Sequence, residues 1–235
     1  MVAFVVRAAF VAAVMSGWAV AAHAQSRPAV QDLQAWLLFL GQIPVGDQWL
    51  IHAEAQPRFN DDISQKDQLL LRGALGHRFG PRVTAWAGYA YVQKWNGAPT
   101  SHEQRTWQQL NATFPKLGRW APSMRLRQEQ RYVEQWSDAS HRFRALGRLV
   151  HPIGASPWSL AVWDEVFVTL DETTGGPHQG LDQNRVYLTG LRKVASAVTL
   201  EFGYMWQHVP ETPRAAERHG HTLFASFTYA PPVRR

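Results

Sequence analysis

The chain of 235 residues contains no cysteine. A disulfide framework, a thiolate metal site and a thiol nucleophile are therefore all excluded. Lysine is scarce as well, with 4 Lys beside 20 Arg, against 18 acidic residues and a formal net charge of +6. No Pro/Gly/Ser linker, low-complexity tract or break in composition divides the chain. It reads as one domain. Long apolar runs are also missing apart from Ala8 to Ala22, which follows Arg7 and is interrupted only by Ser16 and Gly17. That run ends on Ala22-His23-Ala24, the small-x-small pattern of a signal-peptide cleavage site. Residues 1–24 are accordingly expected to be a signal peptide, leaving 211 residues from Gln25 onward outside the cytoplasm. Without disulfides, an exported chain has to be held together by other means.

What is present is alternation. Glu103, Arg105, Arg125, Arg127, Glu129, Arg131, Arg142, Arg144 and Arg148 fall at two-residue spacing along three consecutive segments, and the positions between them are mostly uncharged. Only a strand repeats in this way, so one face of a sheet is lined with charge. Eleven segments read as strands, at about 33–42, 48–58, 68–79, 82–95, 102–114, 123–135, 141–150, 158–170, 182–192, 197–207 and 219–230. Most match the roughly 9–11 residues that cross a bilayer at a tilt. In the second segment Trp49, Ile51, Ala53 and Ala55 share one face, and His52, Glu54, Gln56 and Arg58 share the other. Trp49, Trp95, Trp120, Trp158 and Trp206 fall near segment ends, as interfacial aromatic girdles do.

The fold class that follows is all-β: an antiparallel transmembrane β-barrel of ten or twelve strands, apolar toward lipid and ionic within. Tight connections at Gly80-Pro81 and Lys193 to Ser196 alternate with longer polar ones at Asn60 to Asp67, Asp171 to Leu181 and His208 to Arg218. Short periplasmic turns and long extracellular loops have this asymmetry. The short connection Ile43 to Asp47 creates a problem of parity, because it places the start of the first segment outside the cell. Residues 25–47 are thus an N-terminal segment with a possible first strand, 48–230 the barrel and 231–235 a short tail. An eleven-stranded closed barrel is the least expected answer, since bacterial single-chain barrels use even numbers.

The interior charge network expected from these faces comprises Glu54, Arg58, Glu103, Arg105, Arg125, Arg127, Glu129, Arg131, Arg142, Arg144, Arg148, Glu165, Arg185 and Glu201. Arginines that alternate with glutamates along strands do not form the accessible cationic patch that nucleic acid requires. Paired carboxylates would suit glycoside hydrolysis, yet cations this close favour the ionised state, the opposite of what a general acid needs. No His-x-Ser spacing occurs, and Ser226 lies on the opposite face from His219 and His221. Two imidazoles without a placed third ligand are a weak metal signal. One outward stretch, Gln104, Thr106, Gln108, Gln128 and Gln130, is polar where lipid is expected; it either stands above the hydrocarbon or contacts a partner.

Several motifs in series resemble the bacterial family catalogued as domain of unknown function 2490, whose members look like exported outer-membrane barrels. They are Trp49 to Arg58, Gly88-Tyr89-Ala90-Tyr91, Glu103-Gln104-Arg105, Arg125 to Arg131, Asp164-Glu165, Asp182-Gln183-Asn184-Arg185 and Gly203-Tyr204-Met205-Trp206-Gln207. The resemblance implies a fold and a location and carries no activity. The leading expectation is an outer-membrane barrel of a Gram-negative bacterium, structural or passing small anions through a narrow pore. Alternatives are a lipid- or lipopolysaccharide-modifying enzyme and a surface module binding through its outer loops. No cofactor, metal or nucleic acid is expected, and the partners are outer-membrane lipid, lipopolysaccharide and the barrel-assembly machinery.

Overall fold

A computed structural model describes residues 27–95, 100–213 and 215–232. The expected leader, its cleavage site at Ala24 and the last three residues of the tail lie outside these. Eleven strands follow one another: β1 Val30–Val45, β2 Trp49–Asn60, β3 Gln65–Phe79, β4 Val83–Lys94, β5 Ser101–Thr113 and β6 Ala121–Val133, then β7 Ser140–Pro152, β8 Trp158–Thr169, β9 Gly180–Ala195, β10 Val198–Val209 and β11 Arg218–Tyr229. Each is hydrogen-bonded to its neighbours in the chain, and β1 meets β11 to close the cylinder.

The count corrects the expectation of ten or twelve. The first segment is neither packed elsewhere nor joined by an unread partner; it is β1, extended to sixteen residues. In a meander of odd count, the first and last strands run the same way. Ten neighbouring pairs are antiparallel, whereas β1 and β11 are parallel from Val30↔Arg218 to Gly41↔Tyr229. Parallel ladders satisfy backbone donors and acceptors with evenly spaced, slanted bonds, so an even count is not required for closure. The expected all-antiparallel wall is corrected by this one seam.

A path perpendicular to the strands starts at Val45 and passes Trp49, His77, Ala85, Leu110, Leu126 and Ala145. It continues through Val166, Asn184, His208 and His219 and regains β1 at Gln31, fourteen residues from its start. With about 3.4 Å per residue and about 4.8 Å between strands, this stagger gives a tilt of about 42°, inside the range closed barrels adopt.

The connections sort by end. One rim carries 46–48, 80–82, 114–120, 153–157 and 196–197, together with the end of β11; the other carries 61–64, 134–139, 170–179 and the described residues between β4 and β5 and between β10 and β11, together with the start of β1. The expected loop Asn60 to Asp67 is a tight turn instead, because β2 and β3 run further than their hydrophobic pattern suggests. Asp61, Asp62 and Ile63 all take positive φ there, at 52°, 53° and 66°. For the β-branched Ile63 that conformation is strained. Asp32 on β1 accepts the Asp61 backbone N–H at 2.9 Å, and Leu33 accepts that of Ile63 at 3.2 Å.

The wall is polar within and apolar without. Among the described residues twenty-one buried side chains are polar or charged and thirteen are apolar, the reverse of a water-soluble core. Phe39, Ile43, Trp49, Leu75, Phe79, Leu188, Phe202 and Leu223 are all exposed on the outer face. The lumen is not wholly ionic, however. Trp36, Tyr187, Met205 and Phe224 pack together on one side, and Leu50, Trp86, Ala90 and Trp107 on the other.

Small residues make this packing possible. A Cβ at Gly76 would lie 2.4 Å from the Trp86 ring, and one at Gly88 would meet the Gly73 carbonyl at 2.4 Å and Trp107 at 2.7 Å. At Gly203 it would lie 2.2 Å from the Leu188 carbonyl oxygen, which is backbone and cannot step aside. Gly203→Val is therefore expected to destabilise the barrel by at least the about 1–3 kcal/mol typical of overpacking. Gly190→Ala, where the nearest atom is 4.0 Å away, should be tolerated. Comparing the two thermal midpoints checks this; equal midpoints would contradict the close approach of β9 and β10.

Candidate functional site

The inward positions of β5, β6, β7 and β8 bring charge together from residues distant in sequence. Glu103 on β5 is fully buried and accepts from Arg105 (Nε 2.7 Å, Nη2 2.9 Å) and from Arg131 on β6 (Nε 2.6 Å, Nη2 3.3 Å), with the Lys94 ammonium at 3.6 Å. Glu129 on β6 accepts from Arg142 at 2.6 Å and Arg144 at 2.7 Å, both on β7, with Arg127 at 3.5 Å and Arg105 at 3.9 Å. Glu165 on β8 accepts from Arg125 and Arg144, each at 2.7 Å. Arg105 links the first carboxylate to the second, and Arg144 links the second to the third. The result is one continuous ionic ladder across four strands.

Burial of a carboxylate is costly unless its lone pairs are filled and its charge balanced. The planar guanidinium does both at once, which explains why arginine and not lysine dominates the lumen. Arg142 also reaches Asp182 on β9 at 2.9 Å. Three of the expected residues stand in smaller groups: Glu54 pairs with Arg72 and, at 3.3 Å, His52, while Glu201 accepts from Arg148 at 2.8 Å. Arg127 donates to Gln109 at 2.7 Å and lies over the Trp107 ring at 4.5 Å.

Arg58 and Arg185 are different. Arg58 donates to the amide oxygens of Gln56 (2.6 Å) and Gln68 (3.0 Å), and Arg185 to that of Gln183 (3.1 Å). Their guanidinium carbons lie 3.8 and 4.6 Å from the Trp36 ring centroid. They line a vestibule of about 470 Å³ at the rim where β1 begins, whose lining includes nine Arg and Lys side chains and four Asp.

Sequence reading missed Arg72, Asp182, Lys94 and His52 as members of the charge network. Arg72 lies on an inward face between two apolar members, Leu70 and Ala74. Only its register opposite Glu54 marks it. The aromatic fillers Trp36, Trp107 and Phe167 were missed because inward and outward aromatics look alike in a strand that is amphipathic in either sense.

Other polar groups at the same rim form smaller sets. Asp171, in the β8–β9 connection, accepts the His141 backbone N–H at 2.9 Å and the Ser140 hydroxyl at 3.3 Å, and its other oxygen contacts His141 Nδ1. Serine and imidazole both address the acid and not each other, so the arrangement lacks a nucleophile–base contact. His219 stacks against His208 and Trp206 at 5.4 and 5.7 Å, and His221 meets the Tyr204 hydroxyl at 2.6 Å and Gln31 at 2.8 Å. The outward glutamines bond across β5 and β6, with Thr106 donating to Gln130 at 2.8 Å and Gln130 to Gln108 at 3.2 Å. Asp164, outward on β8, accepts from Asn184 at 2.6 Å.

Fold and lumen together define a closed β-barrel with a buried arginine–carboxylate interior. Within that class the chain belongs to the family described as Protein of unknown function (DUF2490), whose model matches residues 33–218. It is also similar to an uncharacterized protein of Methylorubrum extorquens strain AM1, 33% identical over 193 residues that cover 80% of this chain and 83% of the relative.

Removing Glu129 strips the charge partner from several buried arginines, and such losses typically cost about 3–5 kcal/mol. Glu129→Ala should thus lower the unfolding midpoint far more than Leu126→Ala on the facing-out side; equal tolerance in equilibrium unfolding would mean that the two faces have been exchanged. At the rim, burial acts to raise the Asp171 carboxyl, but hydrogen bonds from the His141 backbone and ring and from Ser140 outweigh it and hold the group below the ordinary aspartate value. A depressed folded-state value stabilises the fold above the unfolded aspartate pKa of about 3.9 and loses that contribution as pH falls through the folded value. Wild type and Asp171→Asn should therefore differ in thermal midpoint at pH 6 and converge as the pH is lowered past the depressed value of the folded state. A difference that persists at low pH would exclude this linkage.

Proposed function

We propose that the protein is an outer-membrane barrel whose lumen is occluded by its own ionic and aromatic filling, passing at most small anions. The observation that carries the reading is the inversion of polarity: charge is buried among ion pairs while large apolar side chains cover the outside. In water such a surface would aggregate, and lipid is the solvent that suits it. A twelve-residue strand such as β2, tilted at about 42°, rises about 30 Å, close to the thickness of a hydrocarbon core.

The rim of shorter turns carries Trp49, Phe79 and Trp158 on its outer face, in keeping with an interfacial belt. If that rim is periplasmic, as short turns usually are, β11 ends in the periplasm and β1 starts at the outer surface. An odd number of strands requires such an opposition of ends. The glutamine pairs on β5 and β6 and the Asp164–Asn184 pair satisfy one another laterally, which lowers the cost of facing lipid. Lipopolysaccharide and outer-membrane lipid are then the surroundings of the barrel, and the barrel-assembly machinery is its route in.

A wall of eleven strands is wider than the eight that ordinary side chains just fill. Here bidentate arginines from β6 and β7 and indoles from β1, β4 and β5 occupy the added width. Excess fixed cations would repel positive ions from any path that remains.

In cell fractionation the mature chain should start at Gln25, travel with the outer membrane and change electrophoretic mobility on boiling; a soluble periplasmic protein of unchanged mobility would sink the membrane reading. In planar bilayers the expectation is no conductance or small anion-favouring steps. Large, steadily open, cation-selective steps would refute occlusion.

A further inference from the structure

Among the described residues, two buried arginines of the vestibule stand apart from the ion pairs that fill the rest of the lumen. Glu103, Glu129 and Glu165 each hold at least two arginines within ion-pair distance, and Glu54, Glu201 and Asp182 hold one each. Among the described residues, Arg58 and Arg185 have no carboxylate that close; Asp67 acts on Arg58 and Glu165 on Arg185 only from beyond ion-pair reach. Both guanidinium groups are buried, with residue exposures of 8% and 6%, and the Nε of each lacks a hydrogen-bond partner. Both line the cavity.

Their setting holds them in place. Trp36 brings its ring against Arg58 from β2 and Arg185 from β9, and Phe167 lies 4.5 Å from Arg185 on a further side. Aromatic faces attract cations and do not neutralise them, so the ring fixes two like charges near one another without supplying the missing anion. The surrounding amides of Gln56, Gln68 and Gln183 turn their oxygens to the guanidinium groups, which leaves those charges uncompensated. A buried pair of cations fixed in this way is complementary to an incoming oxyanion, which two guanidinium forks bind in bidentate fashion.

We infer that the vestibule is a binding site for a small solute carrying a phosphate-type oxyanion, held by Arg58 and Arg185. The inference deepens the proposed function: it makes the open end of the barrel a receptacle whose wall includes Arg105, Arg131, Arg142 and Arg144 of the ionic ladder. The cavity of about 470 Å³ accommodates a solute of modest size and not a polymer. The same chemistry could come from a free phosphate compound or from the headgroup of an anionic lipid at the rim.

Equilibrium dialysis of radiolabelled inorganic phosphate against the purified full barrel tests the site. The expected result is saturable binding of one phosphate per chain, at least tenfold weaker in Arg58→Gln and in Arg185→Gln and unaltered in Lys116→Gln on the opposite rim. Gln68→Glu and Gln183→Glu retain both arginines and supply the missing carboxylate from within. They should fold with a raised thermal midpoint and yet lose phosphate binding, so the test stands even if the arginine variants fail to fold. Absence of saturable binding to folded wild type, or binding unchanged in all four variants, would overturn the inference. Repeating the dialysis in nanodiscs of phosphatidylcholine, with and without phosphatidylglycerol, separates the sources: indifference to the anionic lipid assigns the site to a soluble phosphate, and competition assigns it to a headgroup. Dialysis depends on neither insertion nor conductance. A barrel that binds phosphate but passes large cation currents would keep the site and lose occlusion, and a silent barrel without binding would do the reverse.

Discussion

Every sheet edge in this protein has to find a partner, and the rest of the structure depends on how that is achieved. Eleven strands in simple succession leave β1 and β11 pointing the same way, so closure falls to a parallel ladder from Val30 to Gly41. Without it two unpaired edges would be exposed along their whole length. The seam also sets the stagger of the wall, because the pairing that begins at Val45 returns at Gln31. Strand tilt, the opposition of the two ends and the level at which each inward residue meets its neighbours all follow from that register.

Once the wall is closed, its lumen must be filled with groups that tolerate one another. The solution combines two chemistries. Arginine and glutamate interlock on β5 to β8, where Glu103, Glu129 and Glu165 are shared among several guanidinium groups. Indoles and small residues fill the remaining walls, as in the seating of Trp86 over Gly76 and of Trp107 beside Gly88. Cation–π contacts join the two, notably Arg127 over Trp107 and Arg144 over Phe167 at 4.3 Å. A half-satisfied ionic network is worse than none. That cost explains why the ladder is so densely bonded, and it sets apart Arg58 and Arg185 of the vestibule, which lean on an aromatic ring and neutral amides.

The proposed function follows from this division of the lumen. In that proposal the ladder and the aromatic clusters occlude the lumen, and the cation-rich cavity at the rim where β1 begins is lined in part by the ladder's own Arg105, Arg131, Arg142 and Arg144. A barrel built to conduct would be expected to keep one continuous path along its axis. The proposed anion site instead uses Arg58 and Arg185, two buried lining residues outside the ion pairs.

Alternation by itself determined which residues share a face. The inward set Glu103, Arg105, Arg125, Arg127, Glu129, Arg131, Arg142 and Arg144 could be read from spacing, because a strand has a period of two whatever its partners. All eleven strands were legible for the same reason, to within a few residues at most ends. Closure was not legible. Nothing local in β1 states that it pairs in parallel with a strand some 190 residues away, a long-range register settled by backbone hydrogen bonding around the whole ring. Nor could spacing show that Arg72 meets Glu54, that Trp36 turns inward while Trp49 turns outward, or that Arg58 and Arg185 reach the same indole. Those relations depend on the stagger between strands, which fixes the height at which side chains from β1, β2 and β9 converge; a sequence carries its period along the chain, and only the closed wall sets its phase across it.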